Sequence, residues 1–157
     1  MVSLLLRNLL FTVLQPGLVA GLIPYWLLRN ANKDFFPNPW TIWHYAGAFI
    51  MILGFLILMS CILRFATEGK GTISPIDPTK NLVAKGLYRY SRNPMYVGVM
   101  LLLLGEAVFW QSLVLAGYAA VVFIGFNLFI NFHEEPRLER DFGTEYELYF
   151  QKVRRWF

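Results

Sequence analysis

Lys80-Asn-Leu-Val-Ala-Lys-Gly-Leu-Tyr-Arg-Tyr-Ser-Arg-Asn-Pro-Met-Tyr-Val-Gly98 carries a basic, aromatic segment straight into a very apolar one. The stretch reads as a binding loop that becomes a membrane helix. Asn93-Pro94 marks the junction. Asn is a good N-cap, because its side chain accepts from an orphan backbone N–H, and Pro at the first helical position lacks a donor that would be unpaired anyway. A helix is therefore expected from Pro94. The free amides at such a start attract anionic groups, and Tyr88, Tyr90 and Tyr96 surround it with Arg89 and Arg92. The same residues also suit a plain anchor at the membrane–water interface.

Composition fixes the class. Of 157 residues, 57% are hydrophobic and 17% aromatic, more apolar surface than a small soluble core can bury. The chain reads as all-α and integral to a membrane. The net charge of +4 gathers in short segments, as topology and headgroup contact require, and no nucleic-acid signature is present. Cys61 is the sole cysteine; it sits in an apolar run as a small buried hydrophobe, and no zinc-type cluster accompanies it.

Outward from the junction, four apolar runs appear. Asn8 to Leu28 is 21 residues without a charge, long enough to cross the hydrocarbon core, and reads as a retained segment rather than a cleaved leader. Gln15-Pro16-Gly17, Gly21 and Pro24 should kink it, which is tolerated where neighbouring helices or a cavity satisfy the freed carbonyls. Trp40, Trp43 and Tyr45 form an aromatic belt before the second run, 43–63. His44 at its edge reads as a hydrogen-bonded interfacial imidazole without a catalytic role. Arg64 to Arg92 follows as an ordered loop. The runs 94–110 and 112–132 form a tight antiparallel hairpin about Trp110-Gln111-Ser112. Glu106 lies within a turn of the hairpin tip, where a carboxyl is either functional or reaches water. Asn127 and Asn131 are one turn apart and are expected to share a face pointing into the bundle. Beyond Phe132, apolar residues three and four apart predict an amphipathic interfacial helix broken near Gly143.

Lys and Arg counts place the 64–92 segment and the tail in the cytoplasm, since the turn between the third and fourth runs has no basic residue. The expected architecture is a single membrane domain, 1–157: a polytopic transmembrane bundle of four spans in a cell (inner) membrane, both termini inside. It brings Lys80 to Tyr96 and Glu134 to one membrane face.

Gly86-Leu87-Tyr88-Arg89-Tyr90-Ser91-Arg92-Asn93-Pro94-Met95-Tyr96, then Glu134-Glu135, Phe142-Gly143 and Tyr146, resemble the isoprenylcysteine carboxyl methyltransferase and phospholipid methyltransferase superfamily. The resemblance covers roughly Lys80 to Trp156. It implies a small membrane enzyme using S-adenosylmethionine. It implies cofactor contacts at Lys80, Asn81, Leu82, Val83, Tyr88, Asn93, Pro94, Met95, Tyr96 and Glu134, with loop 64–93 as the cofactor loop and 133–157 as a cytosolic tail. A carboxylate can pair with the ligand ammonium, helix-start amides suit its carboxylate, and aromatic faces favour its sulfonium. Arg92, Asn127, Asn131 and Arg137 are the substrate-side candidates, and the acceptor is a hydrophobic or amphipathic small molecule or a membrane lipid. Two departures stand out. Asn93 replaces the usual histidine, and Ile130 occupies the place where prenylcysteine enzymes hold the substrate carboxylate with arginine. The alternatives are an NADPH-dependent, sterol-reductase-like enzyme and a non-catalytic membrane scaffold.

Overall fold

A computed structural model describes residues 16–31, 39–69 and 81–157. Every regular element among them is helical. The chain first makes a π turn, Leu18–Leu22, which leads into α1, Ile23–Asn30. The expected kink is there: Ala20 leaves helical geometry at φ −109°, ψ 22°, and the Tyr118 hydroxyl donates to the carbonyl of Val19 at 2.9 Å. A neighbouring helix thus satisfies a backbone group at the kink, as a break inside an apolar run requires. Residues 8–15 of the expected first span lie outside the described residues.

The long helix α2, Ile42–Arg64, has 23 residues, a rise of about 35 Å and enough to cross a bilayer core. His44 is buried at its start, accepting from the Thr41 backbone N–H through Nδ1 at 2.8 Å. The imidazole serves as a cap. Helix α3, Pro94–Phe109, runs antiparallel to α2, because Gly47 meets Gly105 at one end while Gly54 meets Gly98 at the other. The glycines lie seven residues apart on each helix and so share a face. A Cβ at Gly54 would stand 2.7 Å from the Gly98 carbonyl oxygen, so these backbones touch, as small residues allow between membrane helices.

After the turn at Trp110–Ser112, α4, Leu113–Phe129, returns against α3. The Ser112 hydroxyl caps it, accepting from the Leu115 N–H at 3.4 Å. A π turn at Phe65–Gly69 continues α2, and a third, Ile130–Glu134, joins α4 to α5, Glu135–Phe142, while Gly143 at φ +51° separates α5 from α6, Thr144–Lys152. The hairpin and the break at Gly143 match the sequence pattern. Leu58, Ile62, Val99, Leu103 and Ala119 form the core where α2, α3 and α4 meet.

Two helices, Ile42–Arg64 and Leu113–Phe142, are long and apolar enough to cross a membrane, against the four spans expected. Helix α3 falls short because Asn93-Pro94 stops it at one end and the Trp110 turn at the other; 16 residues rise only about 24 Å. The two long helices are not soluble-core helices: 28% and 17% of their most apolar stretches are buried within the protein. Phe49, Ile52, Leu56, Val121, Ile124 and Leu128 face outward, and an apolar surface that continuous fits lipid.

Candidate functional site

Gly86 opens a 3-10 turn, Gly86–Arg89, at φ +62°, which an L side chain rarely adopts. Its missing Cβ matters as well, because the Arg64 guanidinium fills that space while pairing with Glu68. The end of α2 thus holds the start of this turn. Tyr88 turns inward, buried in one cluster with Cys61 and edge-on to Phe65 at 5.6 Å. Val83 is buried in the same cluster, and Met95 packs against it. Burial pushes the Tyr88 hydroxyl well above its ordinary pKa, so it stays neutral. Of the expected cofactor residues, Val83 and Tyr88 are therefore floor rather than open surface. Leu82 is half-buried, Asn81 is exposed and donates to the Glu68 carbonyl at 3.2 Å, and Lys80 lies outside the described residues.

Helix α3 begins at Pro94 as expected, but Asn93 does not cap it with its side chain. The tail competes for that group. Asn93 Nδ2 donates to the Arg155 carbonyl at 3.3 Å, the Ser91 hydroxyl donates to the same carbonyl at 3.0 Å, and the Arg92 N–H donates to the Arg154 carbonyl at 2.8 Å. The Arg92 guanidinium, only 8% exposed, pairs with Glu135 at 3.1 Å, donates to the Phe150 carbonyl at 3.1 Å and lies 3.7 Å over the Phe150 ring. Arg155 grips the same Glu135 carboxylate at 2.7 and 3.2 Å. The Tyr149 hydroxyl donates to the Tyr88 carbonyl at 2.8 Å. In the sequence Glu135 stands only as part of the Glu134-Glu135 motif and Tyr149 and Phe150 only as part of the apolar face of the tail helix, while Arg155 carries no signal for this contact.

Tyr96, in the first turn of α3, donates its hydroxyl to Glu134 Oε2 at 2.5 Å, and its ring packs on Phe126 at 4.7 Å. Two residues 38 apart in sequence thus meet at one end of the bundle. Glu134 enters no ion pair among the described residues, whereas neighbouring Glu135 is held by two arginines. Arg137 keeps a buried Nε without a hydrogen-bond partner, 4.0 Å from Asp141. Asn127 and Asn131 do not share an inward face. Asn127 donates back to the Phe123 carbonyl at 2.8 Å. The π turn from Ile130 turns the next residues off the α-helical register, and Asn131 opens instead onto a pocket of about 320 Å³ with Glu135, Tyr146 and Phe150. Ile130 is fully buried.

Residues 42–145, from the first residue of α2 into α6, match the family described as phospholipid methyltransferase. The chain belongs to that family. Membership of the phospholipid methyltransferase family implies a methyltransferase, and with the two long apolar helices it fits a membrane location. An uncharacterized protein of Haemophilus influenzae is 43% identical over 63 residues, 40% of this chain and 98% of that protein. No solved structure matches. The family match takes in Tyr96, Glu134 and Glu135 and ends before Tyr149, Phe150 and Arg155.

Proposed function

We propose that the protein is an integral membrane methyltransferase that binds S-adenosylmethionine where the start of α3 meets the π turn of α4, and that its acceptor is an amphipathic or lipid-like molecule. The observation that carries this reading is the Tyr96–Glu134 contact, which sets a carboxylate that enters no ion pair among the described residues beside a helix N-terminus. The donor set suits the ligand. Glu134, in no ion pair among the described residues, can take an ammonium, the first amides of α3 and the Arg137 Nε, which makes no hydrogen bond, suit a carboxylate, and Tyr96 offers an aromatic face. When bound, S-adenosylmethionine supplies a methyl group activated on its sulfonium.

The chain's own part is orientation and exclusion of water, which is proximity and electrostatic catalysis rather than acid–base work. Asn131 and Arg137 are the substrate-side groups in this reading. Arg92 supports the site through its neighbours, since its guanidinium is already engaged by Glu135 and Phe150. In the membrane, α2 and the continuous helical run that begins with α4, Leu113–Phe142, are the two long crossings; in this reading the shorter α3 and the apolar run 8–28 make up the four spans, with the site on the cytoplasmic side. Calorimetry and thermal shift on the detergent-solubilised protein, with S-adenosylhomocysteine and with NADPH, test the assignment. Stabilisation by the first and not the second is expected; the reverse selects a reductase, and a response to neither returns the protein to a scaffold.

A further inference from the structure

The tail returns to the loop in a form the proposed activity does not by itself require. After α6, Val153 is extended at φ −119°, ψ 131°, which turns the Arg154 and Arg155 carbonyls onto Ser91, Arg92 and Asn93. Three donors from three consecutive residues end on two consecutive tail carbonyls. The donors are not at the surface: Ser91 is 0% and Asn93 7% exposed. Side chains close the contact from the other side, where Glu135 bridges Arg92 and Arg155. Were the tail to lift away, these buried donors and one guanidinium would lose their acceptors together, which disfavours a hinged flap and favours a permanent fixture.

We infer that residues 153–157 are a fixed clamp on the loop-to-helix junction, in which Glu135 and Arg155 are positioning residues that hold Arg92 and the start of α3 in register with Glu134. The clamp rests on the methyltransferase reading only in so far as the junction it holds is the cofactor site. It acts at a distance from the ligand, by fixing where the first turn of α3 points and hence where Tyr96 presents its hydroxyl to Glu134.

Hydrogen exchange and ligand binding separate the two layers. In the intact protein the Arg92 amide should be protected equally with and without S-adenosylhomocysteine, because the Arg154 carbonyl accepts it in both. A chain ending at Lys152 should lose at least a hundredfold in protection at Arg92, keep that of Leu102 inside α3, and bind S-adenosylhomocysteine at least tenfold more weakly. Arg155→Ala, which keeps the backbone carbonyl, should weaken binding several-fold, and Arg155→Lys should restore part of it. If the shortened chain does not insert, the Arg155 pair decides. Protection at Arg92 that appears only with ligand would make the tail a lid and overturn the clamp. Unchanged binding in the shortened chain, or in Arg155→Ala, would also overturn it. If the intact protein binds no S-adenosylhomocysteine, the proposed function fails, while exchange at Arg92 still judges the clamp.

Discussion

Replacing Glu134 by Gln keeps the shape of the side chain and removes the carboxylate beside Tyr96, which enters no ion pair among the described residues. Tyr96 donates to Oε2 at 2.5 Å, and a Gln amide oxygen can still accept that bond, so folding should survive. A ligand ammonium loses its charged acceptor. A hydrogen bond to a charged group contributes about 1.5–3 kcal/mol net, which at about 1.4 kcal/mol per decade is roughly a tenfold to hundredfold loss of affinity. Calorimetric titration of S-adenosylhomocysteine into wild type and Glu134→Gln reads this directly, with thermal melting to confirm the fold. Tyr96→Phe completes the cycle. If the hydroxyl acts by orienting the Glu134 carboxylate, its removal should weaken binding in the wild-type background and cost almost nothing more in Glu134→Gln. Equal affinity for wild type and Glu134→Gln would refute the assignment of Glu134. An equal Tyr96→Phe penalty in both backgrounds would show that Tyr96 touches the ligand independently.

At the α2–α3 contact, Gly54→Leu should prevent a stable fold, since even a Cβ there would stand 2.7 Å from the Gly98 carbonyl oxygen, whereas Gly117→Ala, with nothing within 4 Å, should melt like wild type; overpacking of this kind costs about 1–3 kcal/mol or more, and thermal denaturation in detergent measures it. For topology, Thr144→Cys in a Cys61→Ser background should resist a membrane-impermeant thiol reagent in intact cells while Leu113→Cys reacts; labelling of Thr144→Cys from outside would reverse the orientation. For the acceptor, the fully buried Ile130 leaves a substrate carboxylate without a partner at that position, and burying one unpaired costs several kcal/mol. A panel with labelled S-adenosylmethionine should therefore show methylation of amines, thiols or phenols on apolar carriers ahead of a farnesylcysteine acid. Efficient base-labile ester formation on the farnesylcysteine, insensitive to Arg92 or Arg137 replacement, would overturn it.

Local chemistry made part of this molecule legible from its residues. Pro94 can only open a helix, since it lacks an N–H and fixes φ, and α3 starts there. Pro16, Gly17 and Gly21 announced the kink found at Ala20, and Gly143 the break between α5 and α6. What stayed hidden is of two kinds. The π turn at Ile130–Glu134 has no residue signature, yet it shifts the register of the chain by enough to take Asn131 off the face it was expected to share with Asn127. The tail clamp spans 58 to 64 residues of sequence and ends on backbone carbonyls. Every residue offers the same backbone carbonyl, so composition cannot single out Arg154 and Arg155. The same competition explains why Asn93, a sound cap by type, gives its side chain to the tail.

Glu134 and Glu135 show how one short sequence element is divided by geometry. Adjacent residues on a helix point about 100° apart, so two neighbouring carboxylates at the end of a π turn face different partners. Glu135 faces Arg92 and Arg155 and is neutralised within the protein; Glu134 faces Tyr96, accepts its hydroxyl and enters no ion pair among the described residues. A buried ion pair holds its geometry only while both partners remain, which makes Glu135 a structural charge, whereas Glu134, in no ion pair among the described residues, is the carboxylate that the proposed reading gives to the ligand ammonium. The two substitutions should therefore separate by readout. Glu135→Gln frees Arg92 and Arg155 and is read first in the exchange of the Arg92 amide. Glu134→Gln leaves that amide protected and is read in ligand affinity alone. If both variants moved both readouts equally, the carboxylates would be one cluster with one role, and Glu134 could not be assigned to the ligand.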